Sequence, residues 1–243
     1  MKITEQQTLS AIALEHYQVI PVFEKYDLDF CCRGKRTLSQ ACAAKNISVN
    51  EVLSEMQLAK TIAKPILPFT EMSAEQLISY ILIHHHFYVK NAIPVIINHL
   101  EKLATKHGDR YTHLVKIYRL FNIVKDELEP HMQKEELVLF PRIKEIATLV
   151  LHKKDIYYAP HYINAPIHVM ESEHDNAGQA MFEIRRLTNN YTAPEDACTT
   201  HKVCMDELKA FETDLHQHVH LENNILFPLA ASMMTTRSFS HVY

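Results

Sequence analysis

His131-Met-Gln-Lys-Glu135-Glu-Leu-Val-Leu-Phe140-Pro141 and His218-Val-His-Leu-Glu222-Asn-Asn-Ile-Leu-Phe227-Pro228 share the pattern H-x-x-x-E-x-x-x-x-F-P at an offset of 87 residues. Four-residue spacing on a helix puts His and Glu on one face, one turn apart. If the chain repeats a helical hairpin, each copy needs a matching histidine upstream. His86 lies 45 residues before His131, and His174 lies 44 before His218, so His86 and His174 are themselves 88 apart. The offsets agree within one residue, and the sequence reads as a duplicated helical pair.

The duplication yields His86, His131 and Glu135 from one half, and His174, His218 and Glu222 from the other. A lone buried histidine is more often a hydrogen-bonded core residue than a ligand, and an isolated H-x-x-x-E pair is common on exposed helices. Six such residues in two offset copies point instead to two metal ions. Imidazole with carboxylate suits iron or manganese, whereas structural zinc favours cysteine or a single tetrahedral set. Two bridging carboxylates, two imidazoles per metal and an oxo or hydroxo bridge give each iron about five ligands, leaving a position for a small ligand. The expectation is two iron ions per chain.

Around the repeat the sequence predicts four long helical segments, as a bundle requires. Ser73 and Gln76 have capping-box spacing and open a helix to about Lys106, kinked or divided at Pro94. A second segment runs from about Asp109 to Ile146, interrupted at Pro130 and Pro141. Tyr157 to Pro166 reads as a connection, and a third helix covers about Ile167 to Asn190. Thr192 and Glu195 are expected to cap the fourth, which ends near Pro228 or Met233. Pro141 and Pro228 are expected to shape the helices beyond the ligands. Residues 1–66 form a smaller helical unit, with a helix over Leu38 to Ala44 and another after Ser48. Pro65 and Pro68 mark a linker, and 67–243 form the bundle. The fold class is all-α.

Secondary candidates surround the six. His84 and His85 adjoin His86, and His216 and His220 flank His218. Glu127 precedes His131 by one turn, and Glu173 adjoins His174. Each is either a hydrogen-bonding neighbour of a ligand or a solvated side chain, and the two glutamates could also hold a metal transiently. Cys31 and Cys32 sit before Arg33-Gly34-Lys35-Arg36, where local positive charge and a helix start near Thr37 are expected to favour thiolate. A vicinal pair suits soft-metal binding, thiol–disulfide exchange or an NO-derived group.

Composition narrows the remaining classes. The 243 residues carry 25 Lys+Arg against 29 Asp+Glu, a formal charge of -4, so no positive field marks a nucleic-acid binder. Three glycines exclude a glycine-rich nucleotide loop. Five irregularly spaced cysteines suit a reducing compartment better than a disulfide framework. Neither a membrane span nor a leader pattern is evident, and a soluble cytoplasmic protein is expected.

Tyr26-Asp-Leu-Asp-Phe-Cys-Cys-x-Gly-Lys-x-Thr-Leu38, His131 through Pro141, Val169-Met-Glu-Ser-Glu-His174-Asp and Leu221-Glu-Asn-Asn-Ile-Leu-Phe-Pro228 together resemble the repair-of-iron-centres family of bacterial di-iron proteins. In that family a short double-cysteine domain precedes a hemerythrin-like four-helix bundle. The resemblance covers essentially the whole chain and implies the same six ligands, with Cys31 and Cys32 as the conserved thiols. Arg33 stands where the family commonly has a small residue, and Val89 where it has a further, non-ligand histidine. The resemblance implies repair of iron–sulfur clusters damaged by nitric oxide or oxidants, in the cytoplasm and as a homodimer. Damaged iron–sulfur proteins would be the clients, with iron supplied from the His/Glu site and the thiols assisting transfer. Two other activities fit the same ligands: reduction of NO at the iron pair, and reversible O2 carriage.

Overall fold

The computed structural model describes residues 3–62, 68–156 and 158–235. Its N-terminal unit comprises α1 (Leu9–Glu15), α2 (Ile20–Lys25), α3 (Leu38–Ala44) and α4 (Val49–Ile62). Thr8 and Thr37 cap α1 and α3 with their hydroxyls, and Gln40 returns the bond to complete a capping box at Thr37. Leu9, Ile12, Phe23, Phe30, Leu38, Val52 and Met56 fill its core. The loop carrying both cysteines is tied to α1 at Gly34, whose carbonyl accepts from Ser10 N at 2.9 Å and Ser10 Oγ at 3.0 Å. A Cβ at Gly34 would lie 2.3 Å from Phe30 O and 2.8 Å from Ser10 Cβ, so only glycine fits this approach. The expected linker lies partly outside the described residues.

The larger unit is built from four long helical rods. The first joins α5 (Ala74–Tyr80) through a π-helical segment, Ile81–His86, to α6 (Phe87–His107). The second joins α7 (His113–Lys134) through π segment Glu135–Leu139 to α8 (Phe140–Leu151). The third is α9 (His161–Leu187), and the fourth joins α10 (Thr199–Leu221) through π segment Glu222–Leu226 to α11 (Phe227–Thr235). Ser73 and Gln76 form the expected capping box at α5. Contacts of α7 with α9 and α6, and of α10 with α6 and α9, close the bundle. Among the described residues no helix is long and apolar enough to cross a membrane.

The prolines explain where the sequence expectations held and where they failed. In each F-P copy, Pro141 and Pro228 lack an N–H, and their rings crowd the preceding turn. The chain widens there: Phe140 N–H bonds Glu135 O and Phe227 N–H bonds Glu222 O, five residues back. Pro130, expected to interrupt its helix, lies within continuous α7. Pro166, expected in a connection, lies inside α9, which starts at His161. The carbonyl of Tyr162, four residues before Pro166, instead accepts from Arg142 Nη1 at 2.9 Å. The fourth rod begins at Thr199 after Cys198, later than the Thr192–Glu195 pattern suggested. Asn189, Asn190 and Tyr191 all take positive φ and carry the chain away from α9 first.

Two apolar clusters fill the bundle. One holds Val89, Ile93, Phe121, Met132, Ala177, Phe211 and Val219, and the other Ile81, Leu139, Phe140, Met170, Leu226 and Phe227. On each rod the sequence-derived ligands lie between members of these two clusters. His86 separates Ile81 from Val89, and Glu135 separates Met132 from Leu139. His174 separates Met170 from Ala177, and Glu222 separates Val219 from Leu226. The site is a polar layer sandwiched between two apolar cores.

Candidate metal centre

All six residues are buried, none more than 1% exposed. Their ligand atoms form two groups, His86 with His218 and His131 with His174, and Glu135 and Glu222 belong to both. Within each group the atoms lie within 4.8 Å of one another, the separation expected when donors surround one ion at about 2 Å each. Glu222 straddles the groups: Oε1 lies 2.9 Å from His218 Nε2 and 3.9 Å from His86 Nε2, and Oε2 lies 3.1 Å from His174 Nε2. Glu135 Oε2 stands 3.3 Å from His86 Nε2 and 3.4 Å from His131 Nε2. Yet both oxygens of Glu135, Oε2 of Glu222 and Nε2 of His86 are fully buried with no hydrogen-bond partner. Buried carboxylates without partners are costly unless a cation joins them, so the donor set fits a pair of metal ions.

Electrostatics agree. Burial opposes charging His86, but Glu135 and Glu222 outweigh it and raise its pKa to about 10. Burial likewise opposes His131, which Glu135 raises to about 9. Despite burial, Glu222 is held well below the usual carboxylate range by His218, His174 and His86. Glu135 is also lowered, its imidazole neighbours outweighing burial and the repulsion of Glu222. The pocket therefore stabilises negative carboxylates facing positive charge. Metal ions would take the place of the imidazole protons, making binding a proton-releasing event.

Hydrogen bonds at the outer ring nitrogens orient three of the candidate imidazoles. His86 Nδ1 lies 2.7 Å from Glu136 Oε1, His131 Nδ1 2.9 Å from Glu173 Oε2, and His174 Nδ1 2.9 Å from Asn223 Oδ1. Lys90 and Lys134 pair with Glu136 and Glu173. The sequence reading considered Glu173 but missed Glu136 and Asn223. Both directly follow a repeated glutamate, so aligning the two copies one residue further would have found them. Glu127 is brought into neither group. His84 is exposed, while His85 and His220 are buried. His216 bonds Glu24 across the units, its Nδ1 2.8 Å from Oε1. Val89 packs in the core.

The cysteine loop lies against the bundle. Asn224 Nδ2 donates to Cys31 O at 3.4 Å, and the Phe30 ring meets His220 at 5.3 Å. Arg185 of α9 pairs with Asp27 and, at 2.8 Å, with Glu212 of α10. Beside this junction is a cavity of about 270 Å³ whose walls include Cys31, Cys32, Arg33 and His174. The two sulfurs are 3.9 Å apart, and Asp29 Oδ1 accepts from Cys31 Sγ, Cys32 N and Arg33 N at 3.4, 2.9 and 3.1 Å. Asp29, Cys31 and Cys32 thereby form a third group with metal-ligand spacing. The expected thiolate character does not hold at Cys31. Its hydrogen bond with Cys32, burial and the nearby Asp29 push this thiol well above the ordinary range.

A four-helix bundle with histidines and shared glutamates in a buried central layer is a hemerythrin-type cation-binding bundle, and the family model of the Hemerythrin HHE cation binding domain matches residues 77–230. A second model, a domain of unknown function (DUF542), matches residues 5–60. Both units also occur together in similar proteins. An iron-sulfur cluster repair protein YtfE of Escherichia coli O81 (strain ED1a) is 35% identical over 226 residues, covering 92% of this chain and 96% of its own. The protein of the same name from Escherichia fergusonii is 34% identical with the same coverage. The chain belongs to this family of iron–sulfur cluster repair proteins.

Proposed function

We propose that this chain repairs iron–sulfur clusters damaged by nitrosative or oxidative stress, supplying iron from a site of His86, His131, Glu135, His174, His218 and Glu222. The observation that carries this reading is the sharing of both buried glutamates between two histidine pairs, beside a cavity that reaches the cysteine loop. Residues 1–66 form the cysteine-bearing unit and 67–243 the iron-holding unit. Two irons per chain, held by these six residues, would give the site redox and Lewis-acid chemistry. The protein groups do the rest. Glu135 and Glu222 hold the cargo through carboxylate oxygens that protonation can weaken. Glu136, Glu173 and Asn223 fix three imidazoles by their outer nitrogens. Cys31 and Cys32, with Asp29, offer thiols and a carboxylate at the cavity wall to accept or guide departing iron toward a damaged client. The protein acts in the cytoplasm as a homodimer.

The test begins with metal content after anaerobic purification from iron-replete cells. Two irons per chain are expected, falling sharply in Glu135→Ala/Glu222→Ala. One tight zinc, or iron unaffected by losing both glutamates, would overturn the site. The loaded protein is then mixed with an NO-damaged cluster protein, and Cys31→Ser/Cys32→Ser is compared. Unchanged transfer would remove the thiols from the mechanism. Catalytic N₂O formation without iron transfer would replace donation with NO reduction.

A further inference from the structure

The internal repeat pairs positions one by one, and where the copies differ the two halves of the site differ. Offsets of 87 and 88 residues match Glu136 with Asn223, and His85 with Glu173. In the half formed by His131 and His174, both outer nitrogens have acceptors: a carboxylate oxygen of Glu173 at 2.9 Å and the amide oxygen of Asn223 at 2.9 Å. In the half formed by His86 and His218, only His86 has one, Glu136 at 2.7 Å. His218 Nδ1 is fully buried and meets no acceptor. The residue placed to serve it by symmetry is His85, whose Nδ1 is turned 2.9 Å toward Asp214 instead. The His85 ring lies parallel to that of His218, at 5.5 Å and 3°. It therefore offers a ring face where Glu173 offers a carboxylate to His131.

An acceptor on the outer N–H raises the basicity of an imidazole ligand and fixes its orientation, and loss of one typically costs about 10–100-fold in metal affinity. Both carboxylate acceptors carry a lysine partner, so their effects offset one another between the halves. What remains is the contrast between His174, held by Asn223, and His218, held by nothing. We infer that the two positions hold iron unequally, and that the iron between His86 and His218 is the one released to clients. This rests on the reading of the site as an iron store. The iron between His131 and His174 then stays behind and keeps the glutamates ordered for reloading.

The experiment is anaerobic removal of ferrous iron by ferrozine in excess, followed by absorbance, on protein shown to hold two irons. Wild type should lose one equivalent about 10–100-fold faster than the second. His85→Gln supplies a carbonyl to His218 while its amide can still donate to Asp214, so the fast phase should slow about 10-fold and the slow phase should stay. Asn223→Ala removes the acceptor of His174, so the slow phase should quicken about 10-fold and the fast phase should stay. Either variant narrows the gap, from opposite sides. A single phase in wild type overturns the inference, as does His85→Gln altering only the slow phase or Asn223→Ala only the fast one. If His85→Gln does not load two irons, Asn223→Ala decides alone. Two-phase release with no transfer to a client would defeat the repair reading while leaving the inequality intact.

Discussion

Replacing Arg185 with Met should cost far more than its place near a helix end suggests. Its guanidinium is clamped between Asp27 of the cysteine unit and Glu212 of α10, and the Arg185 and Glu212 side chains are only 13% and 5% exposed. Removing one partner of a buried ion pair strands the other charge and costs about 3–5 kcal/mol. The contact with Asp27 adds little, since that carboxylate is 36% exposed and retains Lys45, and such pairs contribute about 0–1 kcal/mol. The expected loss for Arg185→Met is therefore about 3–5 kcal/mol, nearly all of it from Glu212. Arg185→Met/Glu212→Gln should recover most of that, because the stranded charge is gone. Urea unfolding followed by circular dichroism, with the slope compared between variants, measures both values. A single-variant loss below about 1 kcal/mol, or a double variant no better than the single, would refute the account of a buried, mutually dependent pair.

Further outcomes follow from other features. Glu136→Ala leaves His86 Nδ1 without its acceptor and should weaken iron binding about 10–100-fold, measured by competition with a chelator. Phe140→Ala empties a buried position stacked on His86 at 5.7 Å and should cost about 3–5 kcal/mol in urea unfolding; a loss under 1 kcal/mol would mean the two cores do not meet the site as described. Pro141→Ala restores an N–H and removes the ring that widens the turn. Helix content by circular dichroism should hold while iron per chain falls, and full iron retention would show the π turn stands without the proline. Alkylation of native protein at pH 8, mapped by mass spectrometry, should modify exposed Cys198 first. Cys204, which burial pushes up to about 12, and Cys31 should lag far behind; prompt labelling of Cys204 would contradict its burial.

The repeat made the six clustered residues legible, because a metal site would impose residue type and spacing together. His131 and Glu135 had to share a face, and the 87-residue offset carried that constraint to His218 and Glu222. Helix ends were less legible, because a proline's effect depends on who satisfies the carbonyl it frees. Nothing near Pro166 in sequence announces Arg142, 24 residues earlier, as that partner. The fate of His85 was hidden for a similar reason: its neighbour Asp214 is 129 residues away. Cys31 looked activated by the basic residues that follow it, yet burial and the adjacent thiol, properties of the docked loop, decide its state.

The wide turns also set a rule for chain length. Five steps along an ordinary helix would carry a side chain about 140° round the axis. Closing Glu135 to Phe140 within a single turn brings both to the inward side, and Glu222 and Phe227 do the same. The segments beyond these turns, α8 and α11, are thus phased to the candidate ligands by one surplus residue in each of the two rods. Deleting a single outward residue such as Val138 would rotate everything beyond it by about 100°. Phe140, Ile143 and Ile146 would swing toward water, so a loss harmless in a loop would here dismantle one of the two cores. Length between the buried glutamates and the core beyond them is as strictly set in this protein as the identity of the residues at the centre.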